Sequence, residues 1–110
     1  EVDFVLLSSV LQYIEEPEAI IRIVKNTKAN VILIDKTIVN YSKRNRIYLQ
    51  KVPPSIYPAS YPCWSLSEEW LIEELFDSYK LSTDFVSLPF PELMSIDSLF
   101  KGYVFSKKDD

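Results

Sequence analysis

Two serines and an aspartate stand where this chain is best placed to do chemistry. Ser8 and Ser9 close the apolar run from Val2 to Ser9, and Asp35 closes a second run, "VILID", at 31–35. If both runs are strands of one parallel sheet, these residues mark the carboxyl ends where open α/β sheets bind their ligands. A carboxylate there can orient or deprotonate a hydroxyl, which makes Asp35 the general-base candidate. The plainer alternatives are a helix cap or an ion pair with Lys36 or Arg46 for Asp35, and a strand-ending turn for the serines.

A second group lies between Lys43 and Trp64. Lys43, Arg44 and Arg46 share a stretch with Tyr57, Tyr61 and Trp64. Aromatic faces stack on sugar C–H groups, and a guanidinium grips carboxylate or phosphate in a fork. Together they can form a pocket for a sugar or an anionic substrate. Lys43 and Arg44 read better as a solvated turn, which leaves Arg46, Tyr61 and Trp64 as the binding candidates. Cys63 reads as a small buried hydrophobe.

Composition removes several classes of function. The net charge of -4 argues against a sequence-independent grip on nucleic acid, which needs a basic face. With one cysteine and no histidine there is neither an intramolecular disulfide nor a thiolate–imidazole zinc site. A lone thiol is simplest to place in a reducing compartment. No apolar run approaches the roughly 18–20 residues of a membrane span, so a cytoplasmic protein is expected. Gly102 is the one glycine, so the chain carries no glycine-rich phosphate loop.

The elements that position these residues follow from periodicity. Val2 to Ser9 is continuously apolar, which predicts a strand buried on both faces. Pro17 suits the first helical turn, and Glu15, Glu16 and Glu18 suit the positive end of the helix dipole. Ile20, Ile23, Val24 and Thr27 predict the buried helix face. The strand at 31–35 then completes a βαβ unit. Residues 37–66 hold four prolines and four tyrosines and predict an insertion loop, interrupted by a short strand from Arg46 to Val52. Ser65 with Glu68 has capping-box spacing, with Ser67 as the alternative cap. A helix follows, with Leu71, Ile72, Leu75, Phe76 and Tyr79 on a wide apolar face. Tyr79 to Ser87 and Phe100 to Ser106 predict two closing strands, joined as an antiparallel pair. The whole is one partial α/β domain over 1–110, in the order β-α-β, long insertion, α-β-β.

That order, and the stretch "DFVLLSSVLQYIEEPEAI", resemble the second half of the Rossmann-like S-adenosylmethionine-dependent methyltransferase fold. In that fold the fourth and fifth strands are parallel and the last two form an antiparallel hairpin. Asp3, Val10, Leu11, Ile14 and Pro17 match the family's fourth-strand pattern, and Tyr13 stands where many members carry histidine. The segment "LQKVPPSIYPASYPCW" resembles, more particularly, a group of bacterial methyltransferases associated with surface-polysaccharide gene clusters.

The resemblance implies a partial Rossmann-like methyltransferase sheet and an enzyme acting on a small molecule or saccharide, with S-adenosylmethionine as cofactor. Ser8 and Ser9 would border the cofactor's methionine end. Gln12 and Tyr13 would face the substrate; a tyrosine with a pKa near 10 is a poor base at neutral pH and serves better as a hydrogen-bonding group. The family's glycine loop follows its first strand, and the acid that holds the cofactor's ribose ends its second. Neither is present, so the chain is expected to be a C-terminal half, inactive alone and without tight cofactor binding. The alternative is a non-catalytic interaction module. An unpaired strand edge seeks partners, so Val2 to Ser8 would mediate a homodimer. A Rossmann oxidoreductase fragment explains the closing hairpin less well.

Overall fold

The first two strands run parallel and in register. β1 (Phe4–Ser8) pairs β2 (Val31–Asn40) from Phe4 opposite Val31 to Ser8 opposite Asp35. The computed structural model describes residues 2–52, 59–88 and 98–109, and only the backbone for 48–52, 59–61 and 87–88. The helix between these strands, α1 (Pro17–Asn26), begins at its proline as expected. The remaining elements are β3 (Arg46–Val52), β4 (Ala59–Ser67), α2 (Glu68–Leu75), β5 (Tyr79–Leu88) and β6 (Ser98–Lys107). The strands form one mixed six-stranded sheet in the order β3-β4-β2-β6-β5, with β1 also on β2. The fold is thus α/β, and its last two strands are an antiparallel pair.

The described residues 37–52 and 59–66 depart from the expected insertion loop. β2 continues to Asn40, and β3 and β4 form an antiparallel hairpin from Arg46 opposite Ser65 to Val52 opposite Ala59. β4 then joins β2 in parallel, with Val39 opposite Leu66 and Asn40 opposite Ser67. The prolines obscure a strand whose alternate residues Cys63 and Ser65 are buried while Pro62 is exposed. The turn before β3 is held by Asn40, whose Nδ2 donates to Ser65 O at 3.0 Å, and by Asn45, whose Oδ1 accepts from Ser67 N at 2.7 Å.

β2 is the spine, and a bulge divides it. β6 runs antiparallel along its whole length, but the register slips by one residue between Ile34 and Thr37. The extra residue reverses the side-chain parity. Ile32 and Ile34 point into the main core before the bulge, and Val39 does so after it. Ile38 turns instead to a second cluster with Cys63 and Phe100. Because β6 occupies one side of β2 throughout, β1 and β4 lie in series along the other.

Both helices cover the same sheet face. Ile21 and Val24 of α1 join Leu71 and Leu75 of α2 in the main core with Tyr103 and Phe105. Ile21 takes the buried place assigned above to Ile23, which is 61% exposed. Ser67, the alternative cap, is the one used: its hydroxyl accepts from Trp70 N at 3.2 Å, whereas Ser65 is buried within β4. With no helix on the opposite face among the described residues, β1 is not buried on both sides. It alternates: Val5 and Leu7 pack inward, while Phe4 and Leu6 are 52% and 54% exposed.

Candidate small-molecule site between β1 and β4

The site forms where β1 ends and β4 has not yet begun. Ser9 N donates to Asp35 O at 2.9 Å, the last backbone bond of the β1–β2 ladder. Ser9 then enters the left-handed region at φ 58, and Lys36, on the bulge beside it, does so at φ 52. Such conformations cost non-glycine residues energy and recur where a chain must turn sharply at a site. The turn leads into the 3-10 segment Leu11–Tyr13, anchored by Leu11 in the main core.

Gln12 is the centre of this junction. It is fully buried, and its Nε2 donates to Lys36 O at 2.9 Å and lies 3.3 Å from Ser9 Oγ. Its Oε1 is sealed from solvent and has no hydrogen-bond partner among the described residues. Beside it lies a cavity of about 290 Å³. Gln12, Tyr13, Ile14 and Glu15 form one wall, and Ile47 of β3 with Pro62, Cys63 and Trp64 of β4 form the other. Trp64 ties the walls together by donating from Nε1 to Ile14 O at 2.9 Å.

The candidates from sequence are thus divided. Gln12, Tyr13 and Trp64 come together at the cavity, although they are up to 52 residues apart in the chain. Ser8 and Ser9 are exposed at its approach. Asp35 is half-buried and outside the wall; its Oδ1 accepts from Lys36 N at 2.7 Å and lies against Gly102. Arg46 is exposed at the start of β3, and Lys43 and Arg44 are exposed in the turn before it. Tyr61 lies on β4 with its side chain outside the described residues, as Tyr57 is altogether. Ile47 and Pro62 were not singled out. Their signal was present in the expected strand at 46–52, whose partner strand the prolines concealed.

A buried charged cluster on the helix-covered face was also missed. Lys101 Nζ, on a side chain 7% exposed, lies 2.6 Å from both Glu68 Oε1 and Asp84 Oδ2. Tyr103 donates to the same Glu68 oxygen at 2.8 Å. Burial opposes the charge on Lys101, but the hydrogen bonds to Asp84 and Glu68 outweigh it and hold its pKa above the usual value. Burial, reinforced by Glu68, pushes the Tyr103 phenol up. Every group in this cluster is partnered, so it reads as structure.

The fold and site together define an α/β protein with a cavity of about 290 Å³ at the carboxyl end of a parallel strand pair. No protein-family model matches the chain, and no curated protein or solved structure matches it either. No helix among the described residues is long and apolar enough to cross a membrane.

Proposed function

We propose that the chain is the acceptor-facing part of an S-adenosylmethionine-dependent methyltransferase acting on a small molecule or saccharide in the cytoplasm. The observation that carries this reading is the convergence at Gln12. A parallel strand pair ends in register at Ser8 and Asp35, turns through two left-handed residues, and meets a cavity there. The antiparallel β5–β6 pair accords with the resemblance drawn from the sequence.

The cofactor would supply a sulfonium-activated methyl group. This chain's own residues suit only one end of it. Ser8 and Ser9 are exposed at the strand end, whereas Gly102 lies mid-strand and offers no loop for the nucleotide end. Gln12, Tyr13 and Trp64 would hold the acceptor, with Arg46 and Tyr61 on the neighbouring hairpin. Asp35 would take a proton from it. In-line transfer asks chiefly for such positioning. Calorimetry tests the reading. A chain extended through the residues encoded before Glu1 is expected to bind S-adenosylmethionine at micromolar concentration, and the 110-residue chain is not. Absence of binding by the longer chain, or micromolar binding by the shorter, overturns it.

One observation favours a second reading, a self-associating interaction module. The sheet face away from the helices carries Phe4, Leu6 and Phe85, each more than 40% exposed. Among the described residues no strand pairs the outer edge of β1. An apolar face and an open edge together suit a second copy of the chain, and scattering in solution distinguishes dimer from monomer.

A further inference from the structure

We infer that the cleft at the C-terminal end of α1 binds a small polyvalent oxyanion, its charge carried on two or more phosphate groups. The cleft lies at the amino ends of β1 and β2, away from the Gln12 cavity and outside the methyltransferase reading. Its volume is about 630 Å³. Arg22, Lys25 and Lys28 line it from α1 and the turn that follows, and Lys107 and Lys108 line it from the end of β6. Asp77 and Asp109 are the acids in the described wall, so five cations face two carboxylates. The chain as a whole has the opposite sign, with a net charge of -4. Backbone bonds fix this crowding. Lys107 N donates to Asn30 O at 2.9 Å and Lys108 N to Ser78 O at 2.9 Å, which pins the end of β6 against the α1–β2 and α2–β5 turns.

Part of this charge is committed within the fold. Lys25 Nζ lies 2.9 Å from Asp77 Oδ1 and donates to Glu74 O at 3.0 Å, so this pair is neutral. Lys107 Nζ donates to Lys28 O at 3.4 Å, and Lys108 Nζ sits 3.6 Å from the centroid of the Phe76 ring. Both ammoniums stay uncompensated by a carboxylate there. Arg22 and Lys28 are exposed and pair with no acid among the described residues. The C-terminus of a helix carries about half a negative charge, which offsets one of these cations in part and leaves the others. Like charges held together repel, and an anion placed among them relieves the repulsion. A guanidinium grips an oxyanion through a fork of N–H donors, and ammoniums meet phosphate as point charges. Single exposed ion pairs are weak and screened by salt, so one charge on the ligand is too few. No aromatic side chain lines the cleft among the described residues, so nothing there stacks on a base or a sugar. The phosphates are the part recognised, not the group that carries them.

Three probes test the cleft: inorganic pyrophosphate, orthophosphate and adenosine diphosphate. Each is titrated into the ¹⁵N-labelled 110-residue chain by NMR at neutral pH, following the backbone amides of Asn26, Lys28, Ser78 and Lys107. Pyrophosphate is expected to shift these signals with a submillimolar dissociation constant in low salt, about tenfold tighter than orthophosphate. Adenosine diphosphate should match pyrophosphate within about threefold, since its base finds no ring to stack on. Raising the salt from about 20 mM to about 200 mM should weaken binding about tenfold. Arg22→Gln and Lys28→Asn each remove one exposed charge, and asparagine suits the left-handed backbone at residue 28, where φ is 58. Each should weaken pyrophosphate binding about threefold, and both together about tenfold. Lys43→Gln, the same change of charge in the turn before β3, should leave it unaltered. No shift at about 10 mM pyrophosphate overturns the site, as does binding indifferent to salt or an equal loss in Lys43→Gln. Binding of adenosine diphosphate about tenfold tighter than pyrophosphate would put the recognition in the nucleoside and overturns it too. If either cleft variant fails to fold, the salt dependence and the ratio of the two phosphates on the unaltered chain decide. S-adenosylmethionine is absent from the titration, so failure of the methyltransferase reading leaves this result standing, and the reverse also holds.

Discussion

The side-chain amide of Gln12 donates to the carbonyl of Lys36 at 2.9 Å and thereby stands in for a strand. β1 pairs β2 as far as Asp35, and β4 pairs it from Val39. Lys36 falls in the gap, on the side where neither strand reaches. A carbonyl there has no ladder donor on that side, and Gln12 supplies one from the 3-10 turn between the two strands in a part-buried hydrogen bond. Gln12→Leu keeps most of the volume and removes the donor. It should destabilise the chain by about 1–3 kcal/mol, read as a lower urea midpoint with unchanged slope.

The buried ammonium of Lys101 is predicted to matter more than its acidic partners separately. Lys101→Ala leaves Glu68 facing the Tyr103 hydroxyl without its cation and should cost about 3 kcal/mol. Asp84 is 46% exposed, so water screens its share of the interaction. Asp84→Asn should cost less than about 1 kcal/mol. Equal losses for the two variants in urea denaturation would show that the cluster does not depend on the lysine.

The same cluster fixes an alkaline limit. Lys101 and Tyr103 both have pKa values raised in the folded chain. Above about pH 10 the unfolded chain gives up these protons while the folded chain keeps them. Folded protein then binds more protons than unfolded, and stability falls as pH rises. Below that point both contributions are fully present. Thermal melts by circular dichroism should therefore decline above about pH 10. Tyr103→Phe removes one titrating group and should make that decline shallower, although it also removes a hydrogen bond.

How far the sequence reveals such features depends on whether they are local. The βαβ start, the strand at 46–52 and the closing hairpin were legible because apolar runs and Pro17 are local signals. Ser8, Ser9 and Asp35 followed from them, since strand ends are read directly. The β4 strand was not legible, because Pro62 signals a loop and only pairing with β3 overrides it. The bulge falls in the polar triplet Asp35, Lys36 and Thr37, which reads as the end of a strand, so neither the continuation of β2 to Asn40 nor the change of parity between Ile34 and Val39 could be read. Gln12 is a substrate contact only as the resemblance implies it. Its role at the gap depends on Lys36, which is distant in sequence and adjacent only through the sheet. Lys101 is similar: a charged residue in an apolar strand reads as surface until Glu68 and Asp84 are brought beside it.

Gly102 is predicted to be intolerant of a side chain for a reason that can be removed. A Cβ there would lie 2.3 Å from Phe85 Cζ and 2.8 Å from Asp35 Oδ1. Gly102→Ala should therefore destabilise by about 1–3 kcal/mol through overpacking. Phe85 is 41% exposed, and Phe85→Ala clears the nearest atoms. In the double variant the cost of Gly102→Ala should shrink by more than half, a coupling visible in a double-mutant cycle. Additive losses would place the strain elsewhere.

The open face of β1 gives the last prediction, which separates the two functional readings. Phe4 and Leu6 project from a strand whose outer edge is unpaired among the described residues. If a second copy covers them, the chain should scatter as a dimer, and Leu6→Lys should convert it to a monomer without lowering its melting temperature. Leu6 is already 54% exposed, so the folded monomer loses little by the change. If instead upstream chain covers this face in a methyltransferase, the outcome reverses. The extended protein should be monomeric through this surface, and Leu6→Lys should lower its stability by burying an unpaired charge. The same substitution thus changes assembly in one reading and stability in the other. Scattering and melting, measured on both lengths of chain, tell them apart.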